Sequence, residues 1–265
     1  KLKVHFINTQ RLIYQSSSLE EKIDKMESAV NFYSKDLQLI IKRRSEQSFQ
    51  ENQKIDSAFP RKITTKYICK PDLNIEDLVN DFDDIQKKRK SLSEKGILLD
   101  QGNEIHKGEL RVYDDPFVKG ILFEYIQDSK KKLAYFDDLV NKLDILQKII
   151  NKRFSHKKLF YENNRGFVFK IGDEDEKEIT PDQLSSGEQH ELVMFYEFLF
   201  KIPEGSLILL DEPEISFHIA WQEKFLQDLT KIADLNKFDV LVATHAPSII
   251  NDYWHLRVDL RGMMK

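Results

Sequence analysis

Apolar residues near the end of the chain form short continuous runs, and longer segments with helical character separate them. Runs of this length that are bounded by turn residues are typical of buried strands. Buried strands that alternate with helices predict a parallel sheet that is covered by helices. The predicted strands are 2–8, 167–171, 206–210, 239–243 and 256–260, and the helices between the later strands are 187–200 and 220–235.

The first part of the middle region also has helical patterns. Ser18 is a suitable N-cap for a helix that begins at Leu19-Glu20-Glu21 with a capping box and continues into Lys42-Arg43-Arg44. Pro60 is expected to break the segment that follows. Residues 63–68 fit either a short strand or the start of a helix.

Two further helices are predicted before the α/β part begins. One starts at Pro71-Asp72, carries a single apolar stripe and is closed by Gly96. From Lys119 to about Arg153, apolar residues recur every three or four positions, which predicts one long amphipathic helix. It could pack on its own domain or form a short antiparallel coiled coil. An acidic turn is expected at 173–178. The apolar stripe of the helix that starts at Pro71-Asp72 consists of Ile75, Leu78, Val79, Phe82, Ile85 and Leu92.

These patterns predict two domains that are interleaved along the chain. The two ends, residues 1–14 and 160–265, are expected to form an α/β domain around the mostly parallel sheet. Residues 15–159 are expected to form a large helical insertion.

Composition excludes several classes of protein. The chain has 265 residues, 40% of them hydrophobic and 32% charged, with a formal net charge of −4. This balance requires no nucleic-acid or membrane partner, and no apolar run reaches the roughly 18 residues of a membrane-spanning helix. The single cysteine, Cys69, excludes an internal disulfide framework and a cysteine-rich zinc site. We therefore expect a thiol in a reducing, cytoplasmic environment.

Three local basic runs are candidates for contact with DNA phosphates. They are Lys42-Arg43-Arg44, Lys87-Lys88-Arg89-Lys90 and Lys130-Lys131-Lys132. The alternative is that each run is a solvated helix face, which is the usual explanation for such runs.

The segment Leu184-Ser185-Ser186-Gly187-Glu188-Gln189 precedes the predicted helix 187–200. Backbone N–H groups at a helix N-terminus are unpaired, and the helix dipole there favours negative charge. A glycine beside two hydroxyl groups and a carboxamide at this position predicts an anion-binding site.

A second set of polar residues follows the buried strand 206–210. At the carboxyl end of a parallel strand, Asp211 is expected to hold Mg²⁺, which takes few protein carboxylates together with phosphate oxygens. Glu212 is expected to orient and polarise an attacking water. The alternative is an acidic turn that caps the next helix. Taken with the anion site, the pair predicts that the phosphates of a nucleotide bind here.

His245 follows the buried strand 239–243 in the same way. A histidine at a strand end can donate a hydrogen bond to the γ-phosphate and so detect whether that group is present. A lone histidine is more often a structural residue, but its place at the tip of a buried strand favours function.

The order of these three segments resembles the ABC-type ATPases. Leu184–Gln189 is similar to their signature motif, Leu209–Pro213 to the Walker B strand, and Thr244-His245 to the switch histidine. The segment Glu214–Gln222 resembles the D-loop region of the SMC/RecF/OLD-like branch. With the ending Ile249–Trp254, the chain most resembles stand-alone defence ATPases, the PtuA-like group of Septu and retron antiphage systems.

The resemblance implies an α/β ATPase head that uses ATP and Mg²⁺, with a helical insertion. It implies that Ser185, Ser186 and Gly187 contact the γ-phosphate held by another copy, and that Glu188 and Gln189 shape the helix start of the same cofactor-binding segment. Gln10 would be the glutamine that senses Mg²⁺ and the attacking water, or else a plain polar residue at a strand end.

The chain departs from the family pattern in one respect. Residues 1–265 contain no Gly-x-x-x-x-Gly-Lys-Ser/Thr phosphate loop, which an ABC-type site needs. Since the chain opens in the middle of a predicted strand, that loop is expected upstream of residue 1. Few residues follow His245, so no nuclease centre of the OLD type is expected in this chain.

Three functions are compatible with the sequence. The first is an ATP-dependent switch whose heads form a homodimer or higher oligomer and control an HNH nuclease of the PtuB-like kind in antiphage defence. The second is a RecF- or Rad50-like repair ATPase that binds DNA directly. The third is a scaffold that binds no ATP. None of the three involves a membrane.

Overall fold

The computed structural model describes residues 3–6, 13–14, 27–64, 72–98, 115–172 and 177–258. Within these ranges side chains are described from Ser28 onward, apart from Ser216. The described residues form a mixed α/β protein in which helices predominate and the strands make three small sheets.

Helices predominate in the middle of the chain, and strands and helices follow one another toward its end. The helices are α1 (Ala29–Thr64), α2 (Ile75–Glu94), α3 (Pro116–Ala134), α4 (Asp137–Arg153), α5 (Ser186–Phe200), α6 (Ile219–Asn236) and α7 (Pro247–Ile250). The strands are β1 (Lys3–Phe6), β2 (Ile13–Tyr14), β3 (Glu27–Ser28), β4 (Lys157–Glu162), β5 (Gly166–Ile171), β6 (Lys177–Ile179), β7 (Ser206–Asp211) and β8 (Asp239–Ala243). Short 3-10 helices cover Pro181–Gln183, Pro213–Ser216 and Asn251–Leu256.

The parallel sheet has the order β1-β7-β8. Strand β7 is parallel to both neighbours, with Leu209 opposite Phe6 and Asp211 opposite Ala243. Because the three strands run in the same direction, their carboxyl ends lie along one edge of the sheet. The predicted parallel sheet is confirmed for the predicted strands 2–8, 206–210 and 239–243, whereas the predicted strand 167–171 lies in a separate sheet with an antiparallel partner.

Helix α5 is buried along almost its whole length, as its apolar sequence predicts. Residues 192–199 are all buried, and aromatic rings from several elements surround them. The ring of Phe195 lies 6.4 Å from that of Phe225 in α6, and the ring of Tyr196 lies 5.6 Å from that of Phe167 in β5. This apolar burial is the main source of stability for the helix.

The second sheet, β4-β5-β6, contains two strands that the sequence did not predict. In β4 only Leu159 and Tyr161 are buried, so buried and more exposed positions alternate at the end of a short segment that begins with two lysines. Strand β6 pairs with β5 in antiparallel fashion, with Lys177 opposite Ile171. Residues 177 and 178 therefore form a strand where a turn was predicted.

The predicted break at Pro60 is wrong, because α1 continues to Thr64. A proline removes one hydrogen bond from a helix, but Pro60 is exposed, so water can satisfy the carbonyl that loses its donor. The Thr64 hydroxyl donates to the Pro60 carbonyl at 3.0 Å in the last turn. At its other end α1 begins at Ala29, directly after β3, and so is not continuous with a helix from Leu19.

The single helix predicted from Lys119 to Arg153 is two helices, α3 and α4, with a turn at Tyr135-Phe136. Phe136 N–H donates to the Leu133 carbonyl at 3.1 Å, and the Phe136 ring is buried. Only two residues separate the helices, so the apolar spacing continues across the turn and conceals it. Helix α2 is found with most of its predicted stripe buried and with Gly96 after it at φ of 64°, but it begins at Ile75, after the N-cap Asn74, and not at Pro71-Asp72.

The last predicted strand, 256–260, is not found in the part that the structure describes. Leu256 ends a 3-10 helix, and residues 257 and 258 are not in a strand. Other predictions fall outside the described residues: Gln10, the helix start at Ser18–Glu21, Cys69, and residues 259–260.

The chain divides into two compact units. One comprises Lys1–Lys35, Asp144–Leu159 and Phe167–Lys265, and the other comprises Asp36–Leu143 and Phe160–Gly166. The first unit contains the parallel sheet, and it includes residues 15–35 and 144–159, which the sequence analysis assigned to the insertion. The second unit has its own core of α2 and α3 residues, including Leu78, Phe82, Leu122 and Ile126.

Candidate nucleotide site

The acidic pair that the sequence singles out lies at the carboxyl end of the central strand. In β7, Ile208 and Leu210 are buried, whereas Asp211 is exposed. Since Asp211 is opposite Ala243, the next residues of both strands emerge at the same edge of the sheet. The geometry therefore brings Asp211, Glu212 and the segment with His245 together, as the sequence predicts.

The backbone turns sharply at Glu212. Its φ is 46° and its ψ is 53°, the left-handed region, which costs a non-glycine residue on the order of 1 kcal/mol. The Glu212 N–H donates to the Ala243 carbonyl at 2.8 Å, which ties the turn to β8, and Pro213 follows at the start of a 3-10 helix. A strained turn that a strand-to-strand hydrogen bond holds in place is typical of a functional position.

The Glu212 carboxylate faces His245. Its Oε1 lies 3.4 Å from Nε2 of His245, whose side chain is 96% exposed, so the imidazole is free to reach a ligand. A hydrogen bond with the neighbouring Glu214 carboxyl raises the pKa of Glu212, burial raises it further, and His245 opposes the shift. A carboxylate beside a histidine at a strand end is a candidate general base.

Glu214 joins the turn after β7 to the turn after β8. The Thr244 hydroxyl donates to Glu214 Oε1, and Thr244 Oγ1 in turn accepts the Ala246 N–H at 3.0 Å. Glu214 is buried, and its Oε2 has no hydrogen-bond donor in the described part of the chain. The sequence predicted no role for Glu214 or Thr244.

The signature segment forms the start of α5. Ser185 is the N-cap: its Oγ accepts the Glu188 N–H at 3.4 Å, and Glu188 Oε2 accepts the Ser185 N–H at 2.8 Å. Gln189 Nε2 donates to the Leu184 carbonyl at 2.8 Å. Ser185 and Ser186 are exposed and Gly187 is half-buried. The serines and the glycine are therefore accessible to an anion, while Glu188 and Gln189 shape the helix start.

A buried ion-pair network supports the same helix. Arg153 at the end of α4 donates to Glu191 Oε1 in α5 and, at 2.5 Å, to Asp228 Oδ2 in α6. Its guanidinium carbon lies 4.8 Å from the centre of the Phe195 ring. Burial raises the pKa of Glu191 to about 7, against the opposing effect of Arg153.

This network was not predicted from the sequence. Arg153 ends a charged helix and looks like a solvated residue, and Glu191 lies 38 positions further along the chain. The one signal was Glu191 itself, a carboxylate directly before the apolar run Leu192-Val193-Met194. A charge on a fully buried helix requires a partner.

The donors at the sheet edge fit Mg²⁺ only when a nucleotide completes the site. In the described ranges, no group of three His, Cys, Asp or Glu residues is arranged to hold a metal ion. Asp211 is a single exposed carboxylate, and Mg²⁺ needs no more than one or two carboxylates when phosphate oxygens and water supply the rest. Gln10, the second predicted ligand, lies outside the described residues.

Comparison with models of protein families assigns most of the chain to one family. Residues 8–251 match the family model AAA_21, described as AAA domain, putative AbiEii toxin, Type IV TA system. The chain belongs to this family. It therefore carries a nucleotide-binding domain of the AAA ATPase type, and the head with a helical insertion that the sequence predicts is confirmed. In the described part, none of the helices combines the length and apolarity needed to cross a bilayer.

Individual relatives are more distant. The protein ea59 of Escherichia phage lambda is 29% identical over 97 residues, which are 36% of this chain and 16% of that protein. Among solved structures, the chain is similar to the Smc head domain with an extended coiled coil bound to the C-terminal domain of ScpA, from Pyrococcus furiosus. That likeness covers 83% of this chain and 50% of the other, at 14% identity and a TM-score of 0.29.

Proposed function

We propose that this chain is the head of an ATP-driven molecular switch, in which two heads pair around nucleotide and hydrolysis releases them. The observation that carries the proposal is the alignment of two strand ends, with Asp211 opposite Ala243 and Glu212 3.4 Å from His245. This arrangement provides a metal ligand, a base and a hydrogen-bond donor at one edge of a parallel sheet.

Each residue has a role in the proposed reaction. Asp211 would hold Mg²⁺, which would supply charge neutralisation for the phosphate oxygens. Glu212 orients the attacking water and accepts its proton, while His245 donates to the γ-phosphate. Glu214 keeps the turns that carry Glu212 and His245 together through the Thr244 hydroxyl.

The signature segment acts on the nucleotide of a second copy in this proposal. Ser185 and Ser186 are exposed at a helix N-terminus, where the N–H groups and the helix dipole favour an anion. Nucleotide at about 100 times its Kd stabilises the paired state by roughly 2.7 kcal/mol, which is enough to switch a weak dimer on and off.

The test replaces Glu212 in the full-length protein. Glu212→Gln removes the base but retains the shape of the side chain, so ATP–Mg²⁺ binding and pairing should persist while hydrolysis falls by about 100-fold or more. Glu204→Gln is the matched control, because Glu204 is exposed and pairs only with exposed Lys237 in the described structure. Equal hydrolysis by Glu212→Gln and wild type contradicts the assigned role. Absence of ATP binding by calorimetry favours the scaffold alternative.

We further propose that pairing controls a separate nuclease in antiphage defence, as the PtuA-like resemblance implies. The expected partner is an HNH nuclease that copurifies with the full-length chain. DNA cutting by the complex should depend on ATP and should change in the Glu212→Gln variant. Cutting that responds to neither ATP nor the substitution contradicts this effector role.

Direct DNA binding, the repair alternative, receives less support from the side chains. Members of all three basic runs pair with carboxylates of the same chain. Charges that are already neutralised release fewer counterions when a phosphate backbone binds. The pairs are Arg44 with Asp138, Lys87 with Asp83 and Asp84, Lys88 with Asp137, Lys130 with Asp81, and Lys132 with Asp56.

A further inference from the structure

The start of the signature helix is tied to the first residue of β4. Lys157 Nζ donates to both carboxylate oxygens of Glu188, at 2.8 Å to Oε1 and 2.6 Å to Oε2. The side chains are 21% and 11% exposed, so water screens this pair only partly. An ion pair with this geometry restrains both residues.

The same carboxylate also holds Ser185. Glu188 Oε2 accepts the Ser185 N–H and the Ser185 hydroxyl, each at 2.8 Å. Burial alone would raise the pKa of Glu188, but hydrogen bonds from Lys157 and Ser185 outweigh it and keep the pKa below its ordinary value. The carboxylate is therefore ionised and fixed, and Lys157 acts on the N-cap serine through it.

Lys157 also acts on the start of α5 through its positive charge. Glu188 is in the first turn of α5, beside the exposed hydroxyl groups of Ser185 and Ser186. A carboxylate without a partner at that place would repel an approaching polyphosphate. Lys157 neutralises the carboxylate, so the favourable field of the helix N-terminus remains available to an anion.

We propose that Lys157 is a positioning residue for the pairing of two heads around nucleotide: it fixes and neutralises Glu188, which holds the N-cap Ser185, so that the exposed Ser186 at the helix start can receive the phosphates. The inference rests on the proposed function, because it assumes that the signature segment contacts nucleotide. Lys157 itself touches neither the nucleotide nor the reacting atoms.

The experiment uses the full-length protein in the Glu212→Gln background, in which nucleotide is bound but not hydrolysed. Lys157→Met removes the charge with little change in length, and Lys157→Arg retains a charged bidentate donor. Lys152→Met is the matched control, because Lys152 is exposed in the last turn of α4. Should Lys157→Met fail to fold, Lys157→Gln provides a second neutral variant.

Three quantities are measured for each variant: the dimer Kd with ATP–Mg²⁺ by sedimentation, the affinity of a monomer for fluorescent ATP, and the melting temperature. We expect Lys157→Met to weaken pairing by about tenfold, the loss that corresponds to one charge-assisted hydrogen bond. Monomer affinity should change less than about twofold. Lys157→Arg should restore pairing, and Lys152→Met should behave like the parent.

The possible outcomes separate this inference from the proposed function. If the parent pairs with ATP and Lys157→Met pairs equally well, the inference is overturned and the proposed function stands. If Lys157→Met lowers only the melting temperature, Lys157 is merely structural and the inference is again overturned. If the parent itself does not pair with ATP, the proposed function fails and the inference fails with it.

Discussion

Replacing Arg153 by methionine removes the cationic partner of a fully buried carboxylate. Glu191 is 0% exposed and the Arg153 side chain 3% exposed, so solvent cannot replace the missing charge. Asp228, the second partner of Arg153, is 17% exposed and also lies 4.0 Å from Lys231. The free energy of unfolding should therefore respond mainly to the fate of Glu191.

The expected loss follows from the burial of the pair. Breaking a buried ion pair by removing one partner costs roughly 3–5 kcal/mol. Replacing both charged residues with apolar ones is often nearly neutral, so Arg153→Met/Glu191→Leu should lose no more than about 1 kcal/mol. The second substitution should thus recover most of the stability that the first one removes.

The stability lost on replacing Arg153 should also depend on pH, and the raised pKa of Glu191 determines the direction of that dependence. Its folded pKa is about 7, above its ordinary value of 4.5, so its contribution to stability is full below pH 4.5 and is lost as the pH rises through 7. Without Arg153 the folded pKa rises further, so the variant continues to lose stability above pH 7. Between pH 7 and 8.5 the added loss is at most about 2 kcal/mol.

Urea unfolding at pH 5.5 and 8.5, followed by tryptophan fluorescence, measures this loss. Trp221 reports on the site, because its Nε1–H donates to the Arg153 carbonyl at 3.2 Å. A Trp254→Phe background leaves Trp221 as the only tryptophan of the chain. Lys152→Met, at an exposed position of the same helix turn, is the control. The reasoning is refuted if Arg153→Met/Glu191→Leu is as unstable as Arg153→Met, or if the loss is equal at both pH values.

Three further predictions test other parts of the molecule. Thr244→Val, which removes the donor to Glu214, should slow ATP hydrolysis by about tenfold, whereas Thr244→Ser should retain the rate; steady-state turnover distinguishes them. Gly96→Ala should lower the free energy of unfolding by about 1 kcal/mol or more, because φ is +64° and the added Cβ would lie 3.1 Å from a backbone nitrogen. Lys130→Gln should change stability by less than about 1 kcal/mol and leave DNA affinity unchanged in a filter-binding assay, because Lys130 pairs with exposed Asp81.

The elements that the sequence predicted well are those whose signal is local. Strands β7 and β8 are continuous apolar runs, and the start of α5 has its N-cap and capping-box partner within three residues of each other. The site residues Asp211, Glu212 and His245 could be placed together because each directly follows or nearly follows such a strand. A parallel sheet then brings the strand ends to one edge.

The features that the sequence did not predict depend on contacts between distant parts of the chain. The turn at Tyr135-Phe136 preserves the helical spacing, so periodicity cannot reveal it. Arg153 and Lys157 look like solvated charges until the fold places a glutamate of α5 beside each of them. No local sequence pattern distinguishes a lysine whose side chain is solvated from one that forms an ion pair with a residue of a motif.

The polar contacts of α5 explain how an almost entirely buried helix keeps one orientation. Burial of apolar area is non-directional, so apolar packing alone would let a helix that is buried on all sides rotate about its axis at little cost. Three glutamates oppose that rotation: Glu188 binds Lys157 of β4, Glu191 binds Arg153 of α4, and Glu197 accepts a hydrogen bond from Tyr33 of α1. Because the partners belong to three different elements, rotation of α5 would break all three contacts. The orientation of Ser186 at the helix start is therefore fixed by charges, while apolar burial supplies the stability.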